Sequence, residues 1–375
     1  MVDNFSFQDK YYMERALEIA WLARGRTSPN PLVGCVIVQD GLIVGEGYHT
    51  KAGTPHAEVH ALKAAGVKSE GADVYVTLEP CSHYGRTPPC AEALIQAKVK
   101  RVIVALEDPN PLVSGQGIEK LEDAGIVVEV GLLKEKAIRI NKFFLKAITT
   151  RFPYVLYKSA LTLDGKTAVE SGDSKWVTSE QSRTYVHELR NIYDVIMVGS
   201  NTVLKDNPLL TCRKPNGRNP VKLIVDGNLI IPIDAKVLND SLSIIATTTA
   251  ADPDKLNALK EKQNIEIWQY DVPRYVPLAE LMKDIVKRGF NSILLEGGGN
   301  LAGKMLQERL IDKIEFIYAP KLVGEGHSPL SGFHLDKMNQ AVKMCNIEIS
   351  QIAEDIKVSA EIDYSDGGDV GCSPD

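Results

Sequence analysis

The chain has no long apolar run: no stretch approaches the roughly 20 residues needed to span a bilayer. It also has no lysine- or arginine-rich block, and 43 Lys and Arg against 49 Asp and Glu give a net charge of −6. That balance argues against a polynucleotide substrate, which favours a basic face, but leaves room for a small basic pocket for one phosphate. Cysteine is sparse: six residues are scattered at positions 35, 81, 90, 212, 345 and 372, far below a disulfide scaffold. The opening residues Met1-Val2-Asp3-Asn4 lack the apolar core of a signal peptide, so the cytoplasm is the expected compartment, with no membrane partner. No tandem repeat is present. What remains is an ordinary globular composition, 44% hydrophobic and 25% charged, in 375 residues, a natural length for two domains.

Apolar periodicity predicts a helix over Tyr11 to Arg24 and strands at Val36 to Val38 and Leu42 to Val44, joined by the hairpin signal Asp40-Gly41. Thr54-Pro55 predicts a helix start, with Thr54 as N-cap and Pro55 in the first helical position. Alternating strands and helices follow to about Ala147, predicting a mixed sheet covered on both faces. Thr149-Thr150-Arg151-Phe152-Pro153 looks like a linker, and a second α/β unit starts at Tyr154. The expected domains are residues 1–148 and 152–364, with a polar, glycine-rich tail over 365–375 that is expected to be disordered.

The chemistry concentrates in Pro55-His56-Ala57-Glu58, Glu79-Pro80-Cys81 and Pro88-Pro89-Cys90. One imidazole and two thiolates leave a fourth zinc position open for water, as a catalytic zinc requires. Replacing a ring amine by oxygen needs such an activated water, and Glu58, two positions from His56, is spaced to move its proton rather than to bind metal. His-x-Glu followed by Pro-Cys is the signature of zinc deaminases acting on nucleobases and related rings. A closed structural zinc stays open as an alternative, because His83 or His60 can supply a fourth ligand. In the second half, a buried-type strand at Ser292 to Leu295 leads through Glu296 into Gly297-Gly298-Gly299, a turn whose N–H groups can approach a phosphate.

The string from Glu79 to Cys90, with Ser82-His83-Tyr84-Gly85-Arg86-Thr87-Pro88-Pro89 between its cysteines, resembles the bifunctional deaminase–reductase family of riboflavin biosynthesis. It departs from the commoner Pro-Cys-x-x-Cys spacing by a polar insertion beside the metal ligands, which is expected to line the substrate pocket. Thr27-Ser28-Pro29-Asn30-Pro31-Leu32-Val33-Gly34 matches the same family, as do Ser159 to Gly165, Val198 to Thr202 and Lys205 to Pro208. The resemblance covers nearly the whole chain. It implies a cytidine-deaminase-like α/β/α sandwich followed by a dihydrofolate-reductase-like α/β domain, with one Zn²⁺ and NADPH as cofactors.

It also implies roles by residue. His56, Cys81 and Cys90 hold zinc, Glu58 is catalytic, and Asn30, His49, His83 and Arg86 bind the deaminase substrate. Ala160, Trp176, Thr202, Asp206, Gly298, Gly299, Asn300, Leu301, Ala302 and Gly303 hold NADPH. Ser174, Arg190, Leu210, Arg213 and Glu296 bind the reductase substrate, a guanidinium fork being suited to phosphate. The implied partner is a small phosphorylated pyrimidine, not a nucleic acid, and a homo-oligomer is expected. Two competing readings are a deaminase of transfer RNA or free nucleosides and a zinc-stabilised binding module without enzymatic activity.

Overall fold

The computed structural model describes residues 5–82, 84, 88–110 and 114–365. The predicted loop residues His83 and Arg86 and the tail from position 366 lie outside the described residues. The chain divides into two compact units between Phe152 and Pro153.

The first unit runs α1 (Phe7–Trp21), β1 (Gly34–Gln39), β2 (Leu42–Tyr48), α2 (Ala57–Ala65), β3 (Asp73–Val76), α3 (Cys90–Gln96), β4 (Arg101–Val104), α4 (Gln116–Asp123), β5 (Val127–Val130) and α5 (Lys134–Thr150). Its five strands lie in the order β2-β1-β3-β4-β5. β1 pairs antiparallel with β2 and β3, while β3, β4 and β5 run parallel. Cys35 and Ile37 face a core with Ala57, Ala61, Ala91 and Leu94, from α2 and α3. Val36 and Val38 face the opposite core, with Met13, Leu17 and Ala137, from α1 and α5. A strand covered on both faces reads as the continuous apolar run Gly34-Cys35-Val36-Ile37-Val38.

Close backbone approach sets the position of α2. A Cβ on Gly47 would sit 2.4 Å from the Ala57 carbonyl oxygen, and one on Gly45 would sit 2.3 Å from that of Ala61. Only glycine lets β2 touch the helix backbone, so α2 is pressed against the sheet near its first turn.

The second unit carries β6 (Tyr154–Thr162), β7 (Ala168–Val169), α6 (Glu180–Ile192), β8 (Val195–Gly199), α7 (Ser200–Asp206), β9 (Val221–Val225), β10 (Ser243–Thr248), α8 (Pro253–Lys260), β11 (Ile265–Tyr270) and α9 (Leu278–Lys287). It continues with β12 (Ser292–Glu296), α10 (Gly299–Gln307), β13 (Lys313–Ala319), β14 (Gly326–His327), β15 (Lys343–Ile352) and β16 (Asp355–Asp363). A nine-stranded sheet has the order β11-β10-β9-β8-β12-β6-β13-β16-β15. It is parallel from β11 to β13 and closes with an antiparallel hairpin.

Several expectations need correction. Helix α2 starts at Ala57 with His56 as N-cap, and the Thr54 hydroxyl donates to the Lys51 carbonyl instead of capping. Helix α5 continues through Thr150, absorbing the start of the expected linker. The β15–β16 hairpin escaped the sequence reading because it turns at Ala353-Glu354, with Ala353 at φ 51°, and carries no Gly, Asn or Pro signal.

Asp9 ties the first unit together. It completes a capping box with Ser6 and accepts hydrogen bonds from the Tyr75 hydroxyl at 2.8 Å and Arg101 at 2.9 Å. Burial alone pushes its carboxyl up, but the hydrogen bonds from Ser6, Tyr75 and Arg101 outweigh it and bring the pKa from 3.8 down to about 2. The ionised form therefore favours the folded state. Its stabilisation is complete above pH 3.8 and is lost as the pH falls towards 2. Acid unfolding of the first unit, followed by circular dichroism, is expected to be less steep over that window in Asp9→Asn than in the unchanged chain; equal slopes would remove Asp9 from the acid transition.

Candidate active sites

The first site gathers on two helix starts. His56, the N-cap of α2, has an extended backbone and makes no side-chain cap, which leaves its ring to point elsewhere. His56 Nδ1 lies 3.3 Å from Cys90 Sγ and 3.6 Å from Cys81 Sγ. The three donor atoms all lie within 4.8 Å of one another, a group that fits one metal ion. Cys90 is the first residue of α3, and its backbone N–H donates to Cys81 Sγ at 3.3 Å. A hydrogen bond from Cys90 pulls the Cys81 thiol down to about 4, and the same bond, with burial, pushes Cys90 up. Contact with Cys81 raises His56. One imidazole and two thiols, one already favoured as thiolate, is a zinc donor set. His60, weighed as a fourth ligand, is not part of the group.

Glu58 stands beside these donors, 3% exposed. Its Oε2 is buried without a hydrogen-bond partner among the described residues. Burial pushes its carboxyl up to about 7. A carboxylate oxygen left orphaned next to three metal donors is suited to a water held there, and such an orphan otherwise costs stability.

Asn30 and His49, both expected to bind the deaminase substrate, lie side by side. The His49 ring is 2% exposed and stacks edge-on against His56 at 5.5 Å. Its Nδ1 lies 3.2 Å from the Pro55 carbonyl, which can only accept, so Nδ1 carries the proton. Nε2 is then the acceptor for the Asn30 amide at 3.0 Å. Burial lowers the His49 pKa, which keeps this neutral arrangement. His49 thus orients Asn30.

Sequence reasoning missed Glu79 as more than part of a motif. Its carboxylate accepts backbone N–H groups of Asp108 at 3.1 Å, Gly115 at 3.0 Å and Gly117 at 2.8 Å, clamping the start of α4 to the segment that presents Cys81. Gly117 is required there, since a Cβ would sit 2.0 Å from the Pro80 carbonyl oxygen. Glu79→Ala is expected to cost roughly 3 kcal/mol in denaturant unfolding, because buried N–H groups lose a charged acceptor. It should also release zinc to a chelator faster; unchanged zinc retention would show that the clamp does not hold Cys81.

The second site is a cleft of about 460 Å³ at the carboxyl ends of β6, β8 and β12. Ala160, Ser174, Trp176, Arg190, Thr202, Asp206, Leu210, Glu296, Gly298, Gly299 and Asn300 all line it. Leu301 lines an adjoining cleft. Three predicted residues do not line either cleft: Ala302 and Gly303 are buried in α10, and Arg213 is exposed with its N–H donated to His187. Gly303 instead packs α10, where a Cβ would meet the Ser331 carbonyl oxygen at 2.3 Å. Leu210 is 5% exposed, packs in the core with Ile196 and Val203, and has its backbone at φ 55°. Gly297 and Gly298 have φ of 98° and 77°, which glycine alone adopts freely, and they leave the cradle open above Thr202.

Arg190 spends its fork inside the protein. It pairs with both Glu296 oxygens, at 2.8 and 2.9 Å, and donates to the Thr211 carbonyl at 3.1 Å. Burial pushes the Glu296 carboxyl up, but Arg190 outweighs it and holds Glu296 below the usual range. Lys158 on β6 also lines the cleft and was not singled out in the sequence. Burial lowers its ammonium pKa, opposed by Glu296. Its only sequence signal was a lysine inside an otherwise apolar strand, Tyr154-Val155-Leu156-Tyr157-Lys158. Arg183 was missed as well; its guanidinium lies 4.6 Å over the Trp176 ring.

Residues 6–106 match the cytidine and deoxycytidylate deaminase zinc-binding region, and residues 153–358 match the RibD C-terminal domain. The riboflavin biosynthesis protein RibD of Bacillus amyloliquefaciens is 44% identical over 371 residues, 96% of this chain and 99% of that protein. RibD of Escherichia coli strain K12 is 43% identical over 369 residues, 93% of this chain and 98% of that protein. Among solved structures, Acinetobacter baumannii RibD superposes with a TM-score of 0.87 at 38% identity, covering 95% of this chain and 99% of that one. The diaminohydroxyphosphoribosylaminopyrimidine deaminase/5-amino-6-(5-phosphoribosylamino)uracil reductase of Thermotoga maritima gives 0.83 at 36% identity, with 95% and 99% covered. The two expected folds, a cytidine-deaminase-like domain followed by a reductase domain, are those observed. Matched in both halves and over nearly its full length, the chain belongs to the RibD family and is a two-domain riboflavin-biosynthesis enzyme with a deaminase and a reductase activity.

Proposed function

We propose that the first site hydrolytically deaminates 2,5-diamino-6-(ribosylamino)pyrimidin-4-one 5′-phosphate. The second site then reduces the open-chain ribosyl group to ribityl, giving 5-amino-6-(ribitylamino)uracil 5′-phosphate. The observation that carries the reading is the convergence of His56, Cys81 and Cys90 beside the orphaned Glu58 oxygen. Zinc and NADPH are the cofactors. Zinc, when bound, lowers the pKa of a water to about 7 and NADPH supplies a hydride.

The rest falls to the protein. His56, Cys81 and Cys90 hold the metal. Glu58 takes one proton of the attacking water to the ring nitrogen, then passes the second, from the newly added hydroxyl, to the departing amine, which leaves as ammonia. Asn30, fixed by His49, reads an edge of the pyrimidine. His83 and Arg86 contact the same substrate on the strength of the family resemblance. In the reductase, Ala160, Trp176, Thr202, Asp206 and the Gly298–Leu301 turn line the path of the cofactor. Ser174, Leu210, Lys158 and the Arg190–Glu296 pair, which line the cleft, face the ribosyl chain. Because Arg190 is committed to Glu296, it orders the floor of the cleft more than it offers a free phosphate fork.

Among the described residues no helix is long and apolar enough to cross a membrane. We place the enzyme in the cytoplasm, acting on a free small molecule rather than on nucleic acid. Edge strand β15 exposes Ile347 and Ile349, which supports association into a homo-oligomer.

The test is mass spectrometry of the diaminopyrimidine ribosyl phosphate incubated with zinc-loaded protein and NADPH. Product showing both an amine-to-oxygen exchange and two added hydrogens is expected; unchanged substrate would overturn the assignment. Glu58→Ala should keep zinc and fold but lose ammonia release by about 10²–10⁴-fold. Retained turnover would remove Glu58 from the proton path.

A further inference from the structure

Charges of alternating sign cross the sheet of the second unit in one row. Glu296 on β12 and Glu315 on β13 are the register partners of Lys158 on β6, one on each side. Register partners in neighbouring strands project from the same face, so both carboxylates flank the Lys158 side chain. Cations close the row at its ends. Arg190 on α6 grips both Glu296 oxygens, and Lys357 on β16 reaches Glu315 at 3.3 Å. β16 pairs with β13 on the side away from β6, so Lys357 approaches Glu315 from behind. The order is then Arg190, Glu296, Lys158, Glu315, Lys357.

Lys158 lines the reductase cleft, yet among the described residues no carboxylate closes an ion pair on its ammonium. Glu315 is 4% exposed and does not line the cleft. Its carboxylate accepts the Tyr185 hydroxyl from α6, which together with Lys357 fixes it in place. Burial and Glu315 push the Tyr185 hydroxyl pKa up, so Tyr185 stays a proton donor. Burial lowers the Lys158 pKa, Glu296 and Glu315 oppose that, and Arg190 adds to it. Glu296 is the stronger influence, but its charge is shared with Arg190, which repels Lys158; Glu315 supplies the remaining attraction. The other titratable groups around this floor do not replace it. Burial lowers the His187 pKa, which leaves that ring neutral in alkaline solution. Arg183 is spent on the Trp176 ring and the Thr178 carbonyl, and Lys205 and Asp206 on the cleft wall are of opposite sign.

We propose that Glu315 is a positioning residue of the reductase: it keeps the Lys158 ammonium charged and aimed at the ribosyl chain, from a strand that does not line the cleft. The inference rests on the reading that Lys158 faces that chain. A charged ammonium donates charge-assisted hydrogen bonds to the sugar hydroxyls, and a neutral amine gives up that assistance. Loss of Glu315 would leave Arg190, Lys158 and Lys357 against the single carboxylate of Glu296, which favours release of the Lys158 proton.

The test is the pH profile of NADPH oxidation by the full chain acting on the deaminated pyrimidine ribosyl phosphate. Because the charged ammonium is the competent form, kcat/KM falls as the pH rises through the Lys158 pKa. Glu315→Gln keeps the volume and an acceptor for Tyr185, and should bring that fall lower by about one pH unit. Glu315→Asp should restore part of the shift. Lys357→Met should move the fall upward, since it frees Glu315 for Lys158; a merely structural lesion cannot do so. Should Glu315→Gln not fold, judged by thermal unfolding and deaminase activity, Lys357→Met carries the test alone. Lys158→Met should lower kcat/KM and abolish the alkaline fall. A profile unchanged in Lys158→Met overturns the reading that Lys158 faces the ribosyl chain, and the role of Glu315 with it. A profile altered by Lys158→Met but left in place by Glu315→Gln and Lys357→Met overturns the role of Glu315 alone.

Discussion

Parallel strand pairing is the constraint on which both sites depend. A parallel pair cannot be closed by a tight turn, so each strand is followed by a crossover and all the strands end at one edge. In the first unit this edge releases Glu79 and Cys81 just beyond β3. In the second, β8 ends on Gly199 and β12 is followed by Gly297, and both strands lead directly into helices. The helix starts that follow supply N–H groups, and those N–H groups explain why sulfur and glycine cluster there.

Precision at those edges comes from atoms that are nearly in contact. Gly45 and Gly47 allow β2 to touch the backbone of α2, and Gly117 allows α4 to touch Pro80. Glu79 then gathers four backbone N–H groups, those of Asp108, Gly115, Gly117 and Ile118, around a single carboxylate. These contacts are short, polar and buried, so a small displacement of either helix would separate His56 from Cys81 and Cys90. The metal donors sit on a frame set by glycine and by Glu79.

The reductase cleft solves a different problem, keeping charge inside an otherwise apolar sheet. Arg190 and Glu296 satisfy each other bidentately at 14% and 11% side-chain exposure, and Lys158 adds a third charge nearby. Breaking one member of such a group leaves the others buried and unpaired, which makes the cluster stiff and intolerant of change. Stiffness of this kind suits a site whose task is to orient a cofactor and a sugar chain rather than to supply reactive groups.

Much of this was legible in the chain. His56, Glu58, Cys81 and Cys90 announced themselves because metal chemistry demands particular side chains at helix starts, and prolines marked those starts. The parallel strands were visible as apolar runs such as Ile293-Leu294-Leu295, since burial on both faces leaves no alternation to misread. The hairpin β15–β16 was not visible, because its turn at Ala353-Glu354 lacks the usual residues, although Ile356, Val358, Ala360 and Ile362 alternate along β16. Nor were Lys158 and Glu79. Each is an ordinary charged residue in sequence, and its meaning depends on partners up to 39 positions away for Glu79 and on charges from separate elements for Lys158. Residue type and spacing determined which chemistry the protein carries out. Only the tertiary structure decided which charges are committed to the protein and which are left for a ligand, because pairing and desolvation exist only once the elements are packed together.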